Sequence, residues 1–353
     1  MEAKYIFGII ETSEEKLFNS CGIAAYAYEE VYTIPYQDIS AVVSDSQFIN
    51  YAILPKDQVA RYLLRHQQVI EKIMDSYTII PMKLGTYAFN IREVKEILSK
   101  GYAMFKDIFK KINNKIEIDV VATWNDLNSV IKEIGEGQDV KKLKEEIMSK
   151  PEGVSAEDQM MIGSRIKHIL DKKRERCSFE IETVLKDVSV DLRKHDLMDD
   201  RMIFNTAFLI AEDKHRDFDE KVEELDRRYM GKMNFRCGGP LPAYSFYTIE
   251  TKKVKFEEVD WARKMLNLSN KATKEEIIKA YRNGTKLYHP DKNPDVPDAE
   301  RRFNEINKAY KILVEYCEVC KQTGQENSYS FNEEEVEKNA MLVKPLGCVD
   351  LNL

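Results

Sequence analysis

Apolar residues in the first part of the chain follow two different spacings. Short apolar runs rich in β-branched side chains, which are typical of buried strands, cover residues 5–10, 39–44 and 78–86. Residues 56–74 and 91–113 instead repeat apolar side chains every three or four positions, which predicts amphipathic helices. Pro81 interrupts the third run, so we expect that strand at a sheet edge or a bulge. This order of elements predicts an α+β sandwich over residues 1–114.

The order of strands and helices repeats in residues 115–250. Apolar runs and alternation predict strands at residues 116–124, 202–210 and 234–237. Residues 213–230 have a helical spacing, and the long charged stretch 139–185, broken at Pro151, predicts helices that are added to the sheet. Residues 238–246, rich in proline and aromatic side chains, are expected to leave the sheet as an extended exit segment. The pattern predicts a second α+β sandwich with a helical insertion.

Residues 257–317 carry only the helical spacing, which predicts an all-α domain. Thr273 can cap a helix whose first turn contains Glu275 and Glu276. The apolar side of this helix carries Ile277, Tyr281 and Tyr288. The opposite side is cationic and carries Lys279, Arg282 and Lys286.

A second amphipathic helix begins near Asp298, after a turn that contains Pro290 and Pro294. Its apolar positions are Phe303, Ile306, Ala309, Tyr310 and Leu313. The two helices predict an antiparallel hairpin whose tip is His289-Pro290-Asp291. An ordinary hairpin with a solvated basic face is the alternative interpretation. The remaining residues, 318–353, are expected to be a partly flexible tail with one short helix after Asn332.

On these residues, the segment 259–316 resembles a J-domain. The resemblance implies that the chain recruits a DnaK-type chaperone and stimulates its ATPase. It also implies that the tip contacts the chaperone through His289, Pro290 and Asp291, and that the basic face, Lys279, Arg282 and Lys286, attracts it electrostatically. Gly284 stands where the family usually has a large apolar residue, and Leu287 stands where a basic residue is common. We therefore expect weaker docking than is usual.

Five segments before the hairpin are similar, in the same order, to motifs of the gas vesicle protein F/L family (GvpL/GvpF). They are residues 5–9, residues 66–71, residues 80–86, residues 205–210 and residues 239–246. The resemblance implies two ferredoxin-like halves, the second modified by added helices. It also implies a cytoplasmic accessory protein, associated with gas vesicles, that binds the hydrophobic shell protein and other accessory proteins and helps the shell to assemble.

Composition narrows the function classes further. The chain has 353 residues, 43% hydrophobic and 33% charged, which is typical of globular domains. A net charge of −7 gives no support for a nucleic-acid partner, and no apolar run approaches the ~20 residues of a membrane span. The start of the chain gives no sign of a signal peptide. Six scattered cysteines favour a reducing cytoplasm.

Single residues add little chemistry of their own. His66 lies on an apolar helix face, so we interpret it as a core histidine. Cys317 and Cys320 lack the second pair that a zinc site needs, so no metal or cofactor is expected. His195 and His215 have no recognisable partners in the sequence. The exit segment offers candidate contacts with the shell protein, namely Pro240, Pro242, Tyr244 and Phe246, but an arm packed on its own sheet is equally consistent with its composition.

The favoured hypothesis is an adaptor that is not an enzyme. Its first two domains would hold the shell protein, and its J-domain would bring a DnaK-type chaperone to it. The alternative is a general J-domain co-chaperone that binds diverse unfolded clients. An enzyme would need convergent polar groups and a perturbed acid or base, and the sequence shows no such set.

Overall fold

The computed structural model describes residues 2–18, 30–151, 153–289, 298–322, 327–338 and 341–346. By their contacts the residues divide into two compact units. One unit joins Met1–Lys110 with Tyr247–Leu353, and the other is Lys111–Phe246. The mixture of helices and sheets confirms the predicted α+β class. The domain boundaries expected at residues 114, 250 and 317 stay a prediction.

Within the described residues, the N-terminal part of the first unit contains a six-stranded antiparallel sheet. Its strands are β1 (Glu2–Ile10), β2 (Leu17–Phe18), β3 (Val31–Tyr36), β4 (Ile39–Gln47), β5 (Ile79–Pro81) and β6 (Tyr87–Ala88). Their order is β2-β3-β4-β1-β5, and β6 also pairs with β1. Pro81 therefore lies in a strand at the end of that order, as its interrupted apolar run predicts.

Two helices accompany this sheet, α1 (Lys56–Met74) and α2 (Ile91–Ile112). Helix α1 contacts β1 and β5. Its buried residues, His66, Val69, Ile70 and Ile73, form the C-terminal part of the apolar face that the helical spacing predicts. Gly85, between β5 and β6, has a φ of +83°, a left-handed conformation that glycine adopts without strain.

Among its described residues, the second unit contains a four-stranded antiparallel sheet and four helices of nine or more residues. The strands are β7 (Lys115–Trp124), β8 (Asp191–Lys194), β9 (Met202–Ala211) and β10 (Met233–Leu241), in the order β10-β7-β9-β8. The helices are α3 (Leu127–Gly135), α4 (Gln138–Met148), α5 (Ala156–Lys186) and α6 (His215–Arg228). The helical insertion predicted around residues 139–185 corresponds to α4 and α5, and a capping box of Ser155 and Asp158 begins α5.

The exit segment differs from its sequence prediction. Residues 238–241 continue strand β10, which pairs with β7, and a short helix, α7 (Tyr244–Tyr247), follows. The extended conformation predicted for the whole of residues 238–246 is therefore wrong at its end. The physical reason is a contact between distant parts of the chain, because the backbone N–H of Ser245, in the short helix, donates to the carboxylate of Glu117 in β7.

The C-terminal part of the first unit combines helices with two small strand pairs. The helices are α8 (Phe256–Met265), α9 (Lys274–Tyr288), α10 (Ala299–Gln322) and α11 (Glu333–Lys338). The strands are β11 (Ile249–Lys253), β12 (Lys271–Ala272), β13 (Tyr329–Ser330) and β14 (Met341–Pro345). Strand β11 pairs with β14, and β12 pairs with β13. The hairpin of α9 and α10 and the short helix after Asn332 agree with the sequence analysis, which missed all four strands.

Candidate functional site

Helix α9 is held on α10 by polar and aromatic contacts. Thr273 caps α9: its hydroxyl accepts from the N–H of Glu276, whose carboxylate in turn accepts from the N–H of Thr273. Further along, the Tyr281 ring stacks on Tyr310 with 4.0 Å between ring centroids. The Tyr281 hydroxyl also donates to Asn307 Oδ1 at 2.9 Å. The apolar side of α9 is thus fixed against the neighbouring helix.

The other side of α9 is open to solvent and cationic. Lys279, Arg282 and Lys286 are all exposed, as the helical spacing predicts. Three cations on one helix face produce a local positive potential on a chain whose net charge is −7. Such a patch speeds the encounter with an acidic partner surface.

His289 lies at the end of this helix. It is the C-terminal cap of α9, with extended backbone angles of φ −66° and ψ 120°. Its half-buried ring meets Phe303 of α10 edge-on, with 5.4 Å between centroids. Pro290 and Asp291 lie outside the described residues. The structure therefore places the first residue of the predicted tip directly after the cationic helix.

The two departures from the J-domain pattern have different surroundings. A Cβ on Gly284 would lie 2.9 Å from Cδ1 of Ile306 and 3.2 Å from its Cγ2. Glycine at this position therefore allows α9 and α10 to approach each other more closely than a larger residue would. Leu287, by contrast, is 58% exposed on the open side of α9. It places an exposed apolar side chain beside the cations.

A buried carboxylate lies on the second sheet, on the face opposite the core side of β7. Glu117 is only 1% exposed and accepts two hydrogen bonds from Ser245, one from N–H at 2.8 Å and one from Oγ at 2.7 Å. His195 Nε2 lies 3.2 Å from the same Oγ. Burial, with a smaller contribution from the charge of Asp119, raises the pKa of Glu117 to about 8, although the hydrogen bonds from Ser245 act in the opposite direction.

Sequence reasoning missed this Glu117–Ser245 contact and found no partner for His195. The available signal was the pair of acidic residues, Glu117 and Asp119, two positions apart in an alternating strand, where both must face the same side. What the spacing did not show is that the exit segment covers that side. In the exit segment Pro242 and Phe246 are buried, Tyr244 is half-buried and Pro240 is exposed.

His66 is a core residue with both ring nitrogens satisfied. Its Nε2 lies 2.8 Å from the carbonyl oxygen of Met82, and its Nδ1 lies 2.8 Å from the hydroxyl of Tyr5. A carbonyl can only accept, so Nε2 carries the proton and Nδ1 accepts from Tyr5. Burial lowers the pKa of His66 to about 4, so the ring is neutral near pH 7.

The cysteine pair of α10 is buried. Cys317 is 4% exposed and Cys320 is fully covered. Burial raises the pKa of Cys317 to about 12 and that of Cys320 to about 11, so both are thiols at neutral pH and poor nucleophiles. Across the described parts of the chain, no three His, Cys, Asp or Glu side chains come together as a metal site. No described helix is both long and apolar enough to cross a membrane.

Two family models match the chain. The model of the gas vesicle synthesis protein GvpL/GvpF family matches residues 3–248, and the model of the DnaJ domain matches residues 264–316. Both resemblances drawn from the sequence motifs are thereby confirmed.

Individual relatives agree with these matches. Gas vesicle protein F1 of Halobacterium salinarum is 25% identical over 251 residues, which are 70% of this chain and 94% of the relative. Gas vesicle protein F of Nostoc sp. is 26% identical over 192 residues, 54% of this chain and 78% of the relative. The chaperone protein DnaJ of Chlorobium phaeobacteroides is 59% identical over 49 residues, which are 14% of this chain and 12% of the relative.

Two solved structures share the fold. The crystal structure of the gas vesicle protein GvpF from Anabaena sp. superposes with a TM-score of 0.60 at 22% identity. That of GvpF from Microcystis aeruginosa superposes with a TM-score of 0.57 at 20% identity. Each superposition covers 70% of this chain and 99% of the other chain. At this identity the likeness concerns the fold alone.

Proposed function

Because the chain belongs to the gas vesicle synthesis protein GvpL/GvpF family and carries a DnaJ domain, we propose that it is an assembly adaptor without catalytic chemistry of its own. Its first two domains bind the hydrophobic gas vesicle shell protein or other accessory proteins. Its J-domain recruits a DnaK-type chaperone to the same place and stimulates the ATPase of that chaperone. On this proposal the protein works in the cytoplasm, at growing gas vesicles.

One observation supports the part of the proposal that concerns the chaperone. His289 ends the helix whose open face presents Lys279, Arg282 and Lys286, so a contact residue and an electrostatic patch lie together on one helix. The patch would attract the chaperone, and the helix end would then engage it. Pro290 and Asp291 complete the proposed contact by resemblance to J-domains.

The shell-protein half rests on the family and on a physical need. A very apolar subunit aggregates before assembly unless it is kept in contact with chaperones. Tethering both partners to one chain raises the local chaperone concentration to roughly millimolar. Of the four candidate contacts in the exit segment, Pro240 and Tyr244 are accessible enough to contribute directly, whereas Pro242 and Phe246 are buried.

The chaperone half is tested by ATPase assays with a cognate DnaK-type chaperone. We expect the full chain to stimulate hydrolysis and His289→Gln to return the rate to that of the chaperone alone. His168→Gln is the matched control, because His168 is exposed on α5 in the other unit and should leave stimulation unchanged. Equal stimulation by wild type and His289→Gln would show that the helix end has no role.

The shell-protein half is tested by capture with the full chain. We expect the immobilised chain to retain the gas vesicle shell protein and to retain unrelated denatured proteins much less. Similar retention of all apolar clients would favour the general co-chaperone instead. No retention of the shell protein by correctly folded chain would contradict the proposed cargo.

A further inference from the structure

After residue 2, two segments of the chain fall outside both family matches. The gas vesicle match ends at residue 248, and the DnaJ match covers residues 264–316. The first unmatched segment contains β11, and the second contains β14. These strands pair antiparallel along their whole length, from Ile249 opposite Pro345 to Lys253 opposite Met341. The two unmatched segments are therefore joined by one strand pair.

One end of β11 is bound to the N-terminal sheet domain. The backbone N–H of Lys83 donates to the carbonyl of Ile249 at 2.7 Å, next to an isolated parallel bridge between Met82 and Ile249. The Lys83 ammonium lies 3.2 Å from the carboxylate of Glu250. Glu250, whose side chain is 18% exposed, also lies 3.4 Å from Lys344 of β14. One carboxylate thus joins the sheet domain, β11 and β14.

The other end of β11 is bound to the same domain. Lys253 lies 3.0 Å from Glu93 of α2, and its ammonium lies 4.5 Å from the centre of the Phe89 ring. Ile249 and Lys253 are four steps apart along the strand, a distance of about 13 Å. Contacts at both ends of that length resist rotation as well as separation, which a single contact does not.

The opposite strand of the pair belongs to the core of the J-domain. Leu342 and Val343 of β14 are fully buried. Leu342 packs in one cluster with Val259 of α8 and with Leu313 and Tyr316 of α10. Lys252 of β11 is ion-paired with Glu315 of α10. The strand pair therefore has one side in the J-domain and its ends on the sheet domain.

We propose that β11 and β14 form a fastener that fixes the J-domain on the N-terminal sheet domain. A chaperone held by the J-domain would then act at a set position relative to the sheet domain, and not anywhere within reach of a flexible tether. This consequence for the chaperone rests on the proposed function. The fastening itself does not.

Charge reversal tests the fastening in the full chain. Lys83→Glu with Lys253→Glu places like charges opposite Glu250 and Glu93. The control is Lys56→Glu with Lys95→Glu, which makes the same change in net charge. Both control lysines are exposed on α1 and α2, and neither forms an ion pair with a described residue.

Amide hydrogen exchange is the measurement. Two amides report on the fastener: that of Lys83, which donates to Ile249 where β11 meets the sheet domain, and that of Leu346, which donates to Thr248 at 2.8 Å where the two strands end. We expect both to be protected in wild type and control, and to exchange at least about tenfold faster in the double reversal. The Ile277 amide, inside the J-domain, should not change. The proposal would be overturned if the two reporter amides of wild type exchanged as fast as those of an unfolded chain, or if the double reversal did not accelerate their exchange.

ATPase stimulation separates this inference from the proposed function. The double reversal leaves His289 and the cationic face of α9 untouched, so stimulation should equal that of wild type. If faster exchange at Lys83 came with faster exchange at Ile277 and lost stimulation, the strands would serve the J-domain fold itself, and the fastener would be overturned. If wild type does not stimulate at all, the proposed function fails, while the exchange result still decides the fastening.

Discussion

His66 and Glu117 are buried titratable groups in the two sheet domains, and burial shifts their pKa values in opposite directions. Each has two hydrogen bonds. The partners of His66, one acceptor and one donor, match the neutral imidazole. Ser245 offers Glu117 two donors, which match a charged carboxylate, while burial disfavours that charge. The number of hydrogen bonds therefore does not determine the charge state. The charge state depends on which protonation form the partners match and on how strongly burial disfavours the charged form.

The two pKa shifts make the stability of the two sheet domains depend on pH in opposite directions. The pKa of His66 falls from 6.5 to about 4, so the folded state binds this proton less tightly than the unfolded state does. Its contribution to stability is complete above pH 6.5 and is lost as the pH falls through about 4. The pKa of Glu117 rises from 4.5 to about 8, so its contribution is complete below pH 4.5 and is lost as the pH rises through about 8.

The largest expected effect comes from removing the imidazole. His66→Leu keeps a similar volume but takes away the partner of the Met82 carbonyl and of the Tyr5 hydroxyl. Buried polar groups that lose their partners cost 1–3 kcal/mol each, so we expect a loss of about 4 kcal/mol in the first sheet domain at pH 7. Amide exchange of β1 and β5 measures it locally. His168→Leu, at an exposed position, should cost less than about 0.5 kcal/mol. Similar protection of β1 in wild type and His66→Leu would mean that the two hydrogen bonds contribute little.

The second prediction concerns the alkaline side. Glu117→Gln mimics the protonated acid, so it should remove the pH dependence of the second sheet domain. Between pH 5 and pH 8.5 we expect wild type to lose about 3 kcal/mol relative to Glu117→Gln. Trp124 is buried on the same strand as Glu117, so its fluorescence during urea unfolding, in a Trp261→Phe background, reports on this domain. Glu136→Gln, at the exposed end of α3, should follow the wild-type profile. Parallel profiles for wild type and Glu117→Gln would show that Glu117 is not the group that titrates.

These two sites differ in how far the sequence predicts them. His66 lies among apolar neighbours at helical spacing, and that pattern alone indicates a core position, although it does not identify Tyr5 and Met82 as partners. Glu117 occupies a polar position of an alternating strand, which usually faces solvent. It is buried because residues more than a hundred positions later fold over it, and local spacing contains no trace of such a contact.

The same limit applies to the fold. Helices α9 and α10 were predictable because each repeats its apolar side for many turns. Strands β11 and β14 were not, because each is five residues long and its partner lies some ninety positions away. Short strands have no alternation to detect, and their pairing depends on contacts that form only when the J-domain core is assembled. Gly284 was recognised as a departure from the family pattern, but its cause, the approach of Ile306, is a property of the packed pair of helices.

The smallest predicted loss of stability comes from a change in packing between α9 and α10. Unlike the contributions of His66 and Glu117, this loss should not depend on pH. Gly284→Leu restores the apolar residue that J-domains usually have. Here it would collide with Ile306, and we expect a loss of about 2 kcal/mol, the usual range for overpacking, measured by amide exchange of α9. Gly163→Leu in α5 is the matched control, because nothing lies within 4 Å of a Cβ there, and a better helix former should stabilise by up to about 1 kcal/mol. If Gly284→Leu were as favourable as Gly163→Leu, α10 would have moved to admit the side chain. Since the three atoms nearest to the added Cβ are carbons of Ile306, which does not titrate, the loss should be the same at pH 5 and pH 8.5, where the domains of His66 and Glu117 respond in opposite directions.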